Sequence, residues 1–137
     1  IRRQLRSFSE ITPQKINDPE GHIGYLLRFY PKTHELGRKI VEALKAEGIG
    51  ASTRGGKPWP DWHLCAYMYP VTQNAGAGGR AQYTAGQCPV AEDLYGRYVG
   101  IGLDEWYSPE DCDNIARGIN KVLGAYCTEG AMSRPWI

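Results

Sequence analysis

The stretches Tyr98-Val99-Gly100-Ile101-Gly102-Leu103 and Ser108-Pro109-Glu110-Asp111 decide the fold class of this 137-residue chain. Apolar residues at every second position of the first stretch predict a strand. In the second stretch, a serine, a proline and then two acids are typical of a helix start, with Ser108 as the cap and Asp111 as its capping-box partner. Apolar residues at helical spacing then continue to about residue 126. A strand therefore leads into a long helix at this end of the chain.

Upstream, the sequence predicts a strand, a helix and a second strand. Residues 22–30 are dense in β-formers, Thr33 suits the N-cap of a helix over 34–47, and Gly48 suits its left-handed end. Residues 49–53 then read as a short strand, so the unit is a βαβ motif or a split version of one. The first strand would place four apolar residues on one face: Ile23, Tyr25, Leu27 and Phe29.

The remaining segments complete a prediction of α+β architecture. We expect a small antiparallel or mixed sheet of about three strands with helices on one face. The other predicted segments are the end of a basic helix (1–8), a loop (9–21), an aromatic stretch of one or two helical turns (62–69), a long loop (70–87), a short helix beginning at Pro89 (89–96) and a tail that docks or frays (127–137).

Composition narrows the function classes. Sixteen basic and fifteen acidic residues give a net charge of +1, which argues against a nucleic-acid binder that neutralises phosphates. No apolar run approaches the roughly 18 residues of a membrane span. The cysteines lack the paired spacing of zinc sites, and we expect reduced thiols in a cytoplasmic protein, although an even number also permits disulfides. They are Cys65, Cys88, Cys112 and Cys127.

Two glycine-rich segments do not fit phosphate-binding motifs. The segment ending in Gly56-Lys57 has Ala51 where a P-loop needs glycine and Pro58 where it needs serine or threonine. The glycines of residues 76–80 have the wrong spacing for a dinucleotide fingerprint. Both segments are better interpreted as loops.

His63 is the strongest candidate for chemistry among the residues taken alone. It lies beside Trp62 and among other aromatic residues, a setting that suits ring stacking and proton handling, although a packing cluster with a histidine at its edge is the commoner explanation of such a pattern. Three arginines, Arg28, Arg54 and Arg97, have the side chain that binds carboxylates with two parallel hydrogen bonds.

The C-terminal half resembles a known enzyme family. Cys88-Pro89-Val90-Ala91-Glu92, an arginine at position 97, the apolar strand and then Ser108-Pro109-Glu110-Asp111 resemble the closing segment of the DegT/DnrJ/StrS family of sugar and aminocyclitol aminotransferases, which use pyridoxal phosphate (PLP). The resemblance extends over residues 15–126 and includes Pro60-Asp61-Trp62-His63.

The resemblance implies the C-terminal small domain of a fold-type-I PLP enzyme. Residues 1–14 would be the end of an interdomain helix and a linker, 15–126 the small domain and 127–137 a tail. The family's Schiff-base lysine lies in a large domain, and none of the six lysines here has its sequence context. PLP would therefore be bound by a partner chain or missing domain, and this chain alone would not transaminate.

The resemblance also implies a substrate-binding role for Ser52, Thr53, Arg54, Trp62 and His63, with no catalytic, cofactor or metal residue in this chain. Because the sequence begins at Ile1 rather than Met, we expect a split subunit or a fragment of an antibiotic- or sugar-pathway enzyme, closing over a keto-sugar or keto-cyclitol. An apolar face left by the absent large domain predicts association with that domain or an oligomer. The alternative is a non-catalytic binding or interaction module that keeps the fold.

Overall fold

The computed structural model describes residues 1–56, 63–64, 67–68 and 86–137. After a 3₁₀ turn at Arg2–Gln4, the described residues form three strands and three α-helices. The strands are β1 (Ile11–Pro13), β2 (Leu26–Pro31) and β3 (Val99–Gly102), and the helices are α1 (His34–Ala46), α2 (Pro89–Arg97) and α3 (Pro109–Tyr126). The predicted α+β fold is confirmed.

The sheet is antiparallel throughout the described residues, in the order β1-β2-β3. On the far edge of β3, Ser52 and Gly100 exchange two backbone hydrogen bonds of 2.8 and 2.9 Å in an antiparallel bridge. The backbone at Ser52 therefore runs parallel to β2, with β3 between them. This is the split βαβ arrangement, one of the two forms that the sequence predicts.

Local capping explains why α1 begins and ends where the sequence predicts. The Thr33 side chain accepts a hydrogen bond from the Leu36 amide. At the other end Gly48 has φ +79, and the amides of Gly48 and Ile49 donate to the carbonyls of Lys45 and Leu44 at 3.0 and 2.9 Å. These bonds form a Schellman motif, which needs a residue without a side-chain penalty at the left-handed position.

The start of α3 is also as predicted. Ser108 and Asp111 form a reciprocal capping box, and Pro109 occupies the first turn. This helix packs against α1 and the Arg2–Gln4 turn, and its buried residues join those of α1, β2 and β3 in a single core. Its buried members are Leu5, Phe8, Ile11, Leu27, Phe29, Ile40, Val41, Leu44, Ile49, Ala51, Val99, Ile101, Ala116, Ile119, Val122, Leu123 and Trp136.

The N-terminal predictions need correction. The helix expected over residues 1–8 is a single 3₁₀ turn, because the chain is already extended at Leu5. The spacing of Leu5 and Phe8 reflects two core contacts from an irregular chain rather than a helix face. Within the loop expected at 9–21 lies β1, a strand of three residues that alternates buried and half-buried positions.

The two predicted strands around α1 are shorter than expected. The first begins at Leu26 rather than at residue 22, because Gly24 has φ +71 and turns the chain, so Ile23 and Tyr25 are exposed. The second, over 49–53, reduces to the bridge at Ser52. The next hydrogen-bonded pair in that register would join Gly50 and Gly102, and two glycines offer no side chains to stabilise a longer ladder.

The tail docks on the core. Trp136 is buried, its ring meets the Phe29 ring edge-on at a centroid distance of 5.7 Å, and its Nε1 donates to the Arg6 carbonyl at 2.9 Å. At the start of the tail, burial and the Glu10 carboxylate raise the pKa of the Cys127 thiol to about 11. Cys112 and Cys127 are both free thiols.

Several predicted features lie outside the described residues: Trp62, Cys65, half of the aromatic stretch at 62–69 and nearly all of the loop at 70–87. None of the helices in the described ranges combines the length and apolarity that a membrane crossing requires.

Candidate functional site

The face of the sheet opposite α1 and α3 carries the polar and aromatic side chains of the candidate site. Arg28, Gly100 and Ser52 lie directly opposite one another on successive strands, so their side-chain positions share one face. Their neighbours Leu27 and Ile101 point into the core on the other side. We call this side of the sheet the aromatic face, because Tyr98 lies across its centre.

Tyr98 and Arg28 form the middle of the aromatic face. The Arg28 guanidinium lies over the Tyr98 ring, 5.2 Å from its centroid. A β-carbon at Gly100 would come within 3.3 Å of that ring and 3.5 Å of the Ser52 hydroxyl. The glycine at position 100 therefore lets the tyrosine lie flat across the strand, where it supports the arginine.

The aromatic contacts continue onto α2 and the segment beyond it. The Tyr98 ring meets the Tyr95 ring at a centroid distance of 5.5 Å, and Tyr95 stacks on His63 at 5.3 Å with the planes 24° apart. His63 is exposed and Tyr95 is half-buried. Arg28, Tyr98, Tyr95 and His63 thus form one continuous series of contacts, in which His63 stacks on Tyr95 and the Tyr95 and Tyr98 rings are tilted by 58°.

A second cation–aromatic pair lies in the same part of the chain. The Arg54 guanidinium is 5.4 Å from the centroid of the Tyr67 ring. Arg54 follows Ser52 by two residues, and Tyr67 follows His63 by four. Arg28 and Arg54 are therefore each in contact with a tyrosine ring.

Arg97 differs from Arg28 because its guanidinium is fully engaged in hydrogen bonds to the protein. It donates to both Asp93 carboxylate oxygens at 2.8 and 2.5 Å and to the Pro31 carbonyl at 2.6 Å. The hydrogen bonds from Arg97 lower the pKa of Asp93, and the same carboxylate raises the pKa of Arg97. Arg97 therefore fastens α2 to the end of β2 and is a structural residue.

Arg28 differs from Arg97 because one of its donors lacks a hydrogen-bond partner among the described residues. Its Nε atom is buried and has no hydrogen-bond partner within the described part of the chain. The cross-strand neighbour on β3 is Gly100, and the Gln14 amide donates to the Arg28 carbonyl on the other side, so neither flanking position supplies a carboxylate. A buried unpartnered donor on a cation is costly, and a bound anion would satisfy it.

The structure divides the five predicted site residues. Ser52 lies on the aromatic face, Arg54 contacts Tyr67, and His63 stacks on Tyr95. Thr53 points to the other side, since its hydroxyl accepts from the Gly55 amide and lies 3.7 Å from the position of a β-carbon on Gly37 in α1. Trp62 lies outside the described residues. The Thr53 side chain therefore supports the turn that presents Arg54.

The sequence prediction missed Tyr95 and Tyr98. Both belong to the stretch that carries the family resemblance, and both are aromatic residues close to Gly100. A glycine in the middle of a strand was an available sign that a ring crosses the sheet there.

A groove lined by described residues lies away from these groups. It has a volume of about 690 Å³ and lies between the end of α1, β3 and α3. Its charged groups are already engaged, as Lys121 binds Glu47 at 2.7 Å and Asp111 caps α3. We therefore place the candidate site on the aromatic face, where cationic and aromatic groups converge.

The described residues do not fit a PLP site or a metal site. A Schiff-base lysine acts from a buried or cation-rich setting that lowers its pKa, whereas every described lysine is exposed. Lys39, for example, pairs with Glu35 at 2.8 Å on the surface of α1. No group of three or more metal-binding side chains occurs within the described ranges. The arrangement suits binding of a small polar molecule that has a ring and an anionic group.

Comparison with known proteins identifies the fold. No protein-family model matches the sequence, and no curated protein matches it significantly. Among solved structures, the chain is similar to a Streptococcus pneumoniae protein named as a sugar aminotransferase, Spr1654. The apo form matches with a TM-score of 0.55 at 19% identity, and the PMP form with 0.54 at 21%. Each match covers 86% of this chain and 27% of the other. The chain thus has the fold of about a quarter of that protein.

Proposed function

We propose that this chain is the small-domain portion, either a split subunit or a fragment, of a PLP-dependent aminotransferase of the DegT/DnrJ/StrS type. It would act on a keto-sugar or keto-cyclitol in sugar or antibiotic biosynthesis, in the cytoplasm. The observation that carries the proposal is the structural match to part of a sugar aminotransferase, one of whose solved forms is a PMP form. The family-like sequence from Cys88 to Asp111 supports it independently.

The partner in this proposal is a large domain that holds PLP. The solved aminotransferase has about three quarters of its length outside the match. At one end of the sheet, exposed apolar residues lie just before β2 and just after β3. Ile23 and Trp106 are 84% and 85% exposed, and a hydrogen bond from the Leu103 amide to the Tyr25 carbonyl joins the two segments. An apolar patch of this kind is typical of an interface, and we assign it to the large domain.

The aromatic face is the substrate side in this proposal. A sugar ring would lie against the exposed His63 and the tyrosine rings, and Ser52 and Arg54 would donate hydrogen bonds to its hydroxyl groups. PLP, bound by the large domain, would supply the electron sink for amino transfer. The residues of this chain would orient the substrate and exclude water, and none of them would form a bond to the cofactor.

Reconstitution tests the proposal. The 137-residue chain is mixed with the lysine-bearing polypeptide encoded with it, together with PLP and glutamate, and association and absorbance between about 320 and 430 nm are measured. We expect a complex and a spectral change that Trp106→Asp weakens and Glu105→Gln, an exposed neighbour, does not. If the two chains neither associate nor change the spectrum, the proposal is wrong.

The stacked aromatic groups also favour a second candidate, a binding module without catalysis. A thermal-shift screen of nucleotide sugars, aminocyclitols and amino acids separates the two. A ligand that stabilises the chain, combined with a failed reconstitution, would support the binding module. No stabilisation by any compound would count against a small-ligand role for the isolated chain.

A further inference from the structure

We propose that Arg28 is an oxyanion-binding residue, which takes a carboxylate or phosphate group of a small substrate through the edge formed by its Nε and one Nη. The inference deepens the proposed function by naming an anionic group on the molecule bound at the aromatic face. It is carried by the observations at Arg28 itself, which do not depend on PLP.

The first observation is the missing partner. Several other arginines donate to protein acceptors: Arg2 to the Leu26 carbonyl at 3.0 Å, Arg38 to the Gly55 carbonyl at 2.5 Å and Arg97 to Asp93. In contrast, the Arg28 Nε is buried without an acceptor in the described residues. A desolvated charged donor strongly favours an anionic acceptor, so a bound anion is the partner that this atom lacks among the described residues.

The second observation is the absence of negative charge on the adjoining strand positions. Leu26 and Tyr30, two residues away on β2, share the face with Arg28, and Gly100 and Gln14 flank it on the neighbouring strands. None of these residues is acidic. A bound anion would therefore meet the guanidinium without competing against a carboxylate from these positions.

The third observation is the support beneath the guanidinium. The Arg28 Cζ lies over the Tyr98 ring, 5.2 Å from its centroid, so the ring restricts the guanidinium on one side. A guanidinium held in one plane can give two parallel hydrogen bonds to one oxyanion, because its Nε–H and an Nη–H point the same way. The ring also limits the loss of side-chain freedom that binding would otherwise cost.

The test is an NMR titration of the 137-residue chain, following the arginine Nε–H resonances. Sodium glutamate supplies a carboxylate and sodium phosphate a phosphate, and sodium chloride at matched ionic strength is the control. We expect a saturable shift of the Arg28 resonance with at least one of the two oxyanions. The Arg97 resonance should stay in place, because Asp93 already accepts from it.

Variants then assign the binding to the guanidinium edge. Arg28→Lys keeps the charge but loses the paired donors, and Arg28→Gln loses both. Each substitution should weaken the affinity for the oxyanion by about tenfold or more. Arg3→Gln, at an exposed arginine, should leave that affinity unchanged. The dispersion of the amide spectrum checks that the variants are folded.

Each outcome decides the question. Saturation with glutamate alone identifies a carboxylate, and saturation with phosphate alone identifies a phosphate. A shift that chloride reproduces, or an affinity that Arg28→Gln and Arg28→Lys both retain, overturns the assignment to Arg28. Because the titration needs neither PLP nor a partner, its failure would leave the aminotransferase proposal standing, and a failed reconstitution would not affect a positive titration.

Discussion

Two glycines enclose the imidazole of His34. A β-carbon at Gly56 would lie 2.6 Å from its Nδ1, and one at Gly96 would lie 2.7 Å from its Nε2. Both distances are far below van der Waals contact, so each glycine makes room for the ring. His34 stands at the start of α1 and Gly96 near the end of α2, and the exposed imidazole therefore lies against α2 where the two helices meet.

This packing predicts that the effect of Gly96→Ala on stability changes sign with the residue at position 34. Alanine is favoured over glycine in a helix by up to about 1 kcal/mol, but the clash with the imidazole should outweigh that gain. We expect Gly96→Ala to destabilise the chain by about 1 kcal/mol and to stabilise it slightly when His34→Ala is also present. Urea unfolding of the two single variants and the double variant measures the coupling, and additive effects would contradict the packing argument.

The residues of the candidate site were only partly predictable. His63 and Arg54 stood out because an aromatic neighbourhood and a charged loop can be recognised along the sequence. Tyr95 and Tyr98 did not, since their contact depends on how α2 meets β3. Arg28 was recognised as a possible carboxylate binder, but its unpartnered Nε follows from the strand register, which places Gly100 opposite it.

At the level of elements, the predictions succeeded where the determinants are local. Caps fix the starts of α1 and α3, and alternation fixes β3, because a few adjacent residues decide each of them. The predictions failed where pairing between distant segments of the chain determines the bounds of a strand. β1 exists because β2 offers it an edge, and residues 22–25 leave the sheet because β3 ends at Gly102, opposite Leu26.

The end of α1 gives a matched pair of glycine substitutions. Gly48 has φ +79, a conformation that costs an L-residue roughly 1–2 kcal/mol, whereas Gly50 has no positive φ and no atom within 4 Å of an added β-carbon. We expect Gly48→Ala to lower the free energy of unfolding by about 1 kcal/mol and Gly50→Ala to change it little. Thermal and urea unfolding report both, and equal effects would argue against the Schellman motif.

The attachment of α2 predicts a pH dependence. Hydrogen bonds from Arg97 lower the pKa of Asp93 in the folded chain. The pair therefore stabilises the fold at pH values above about 4, the pKa of this carboxyl in the unfolded chain. That contribution is lost as the pH falls through the lower folded value. Asp93→Asn should therefore cost about 0.5 kcal/mol at pH 7, as expected for a half-exposed pair, and almost nothing near pH 2.

Urea unfolding at the two pH values checks this prediction. Glu105→Gln, at an exposed carboxylate away from α2, serves as the control and should show no such difference. A cost of Asp93→Asn that stays constant from pH 7 to pH 2 would show that the pair does not titrate as described.

At the scale of the whole molecule, the two ends of the chain hold each other in place. Phe8 forms an isolated bridge with Glu129, the Ser9 amide donates to the Thr128 carbonyl at 3.0 Å, and the Gly130 amide donates to the Ser7 carbonyl at 3.1 Å. Residues 1–13 therefore depend on the tail for their position. β1 belongs to this N-terminal segment, so the tail also supports the edge of the sheet.

Trp136 tests whether the tail is part of the folded unit. Its buried ring packs on Phe29, which lies in the central strand, so Trp136→Ala should destabilise the whole chain by about 3 kcal/mol in a single cooperative transition. Trp136→Phe keeps a ring against Phe29 but loses the hydrogen bond to the Arg6 carbonyl, and should cost nearer to about 1 kcal/mol. Ile137→Ala, at a half-exposed neighbour, should fall within about 0.5 kcal/mol of the unmodified chain.

If all three variants unfold like the unmodified chain, the tail is not part of the folded unit and the edge strand forms without it. If they rank as expected, residues 127–137 belong to the same cooperative unit as the sheet that carries Arg28.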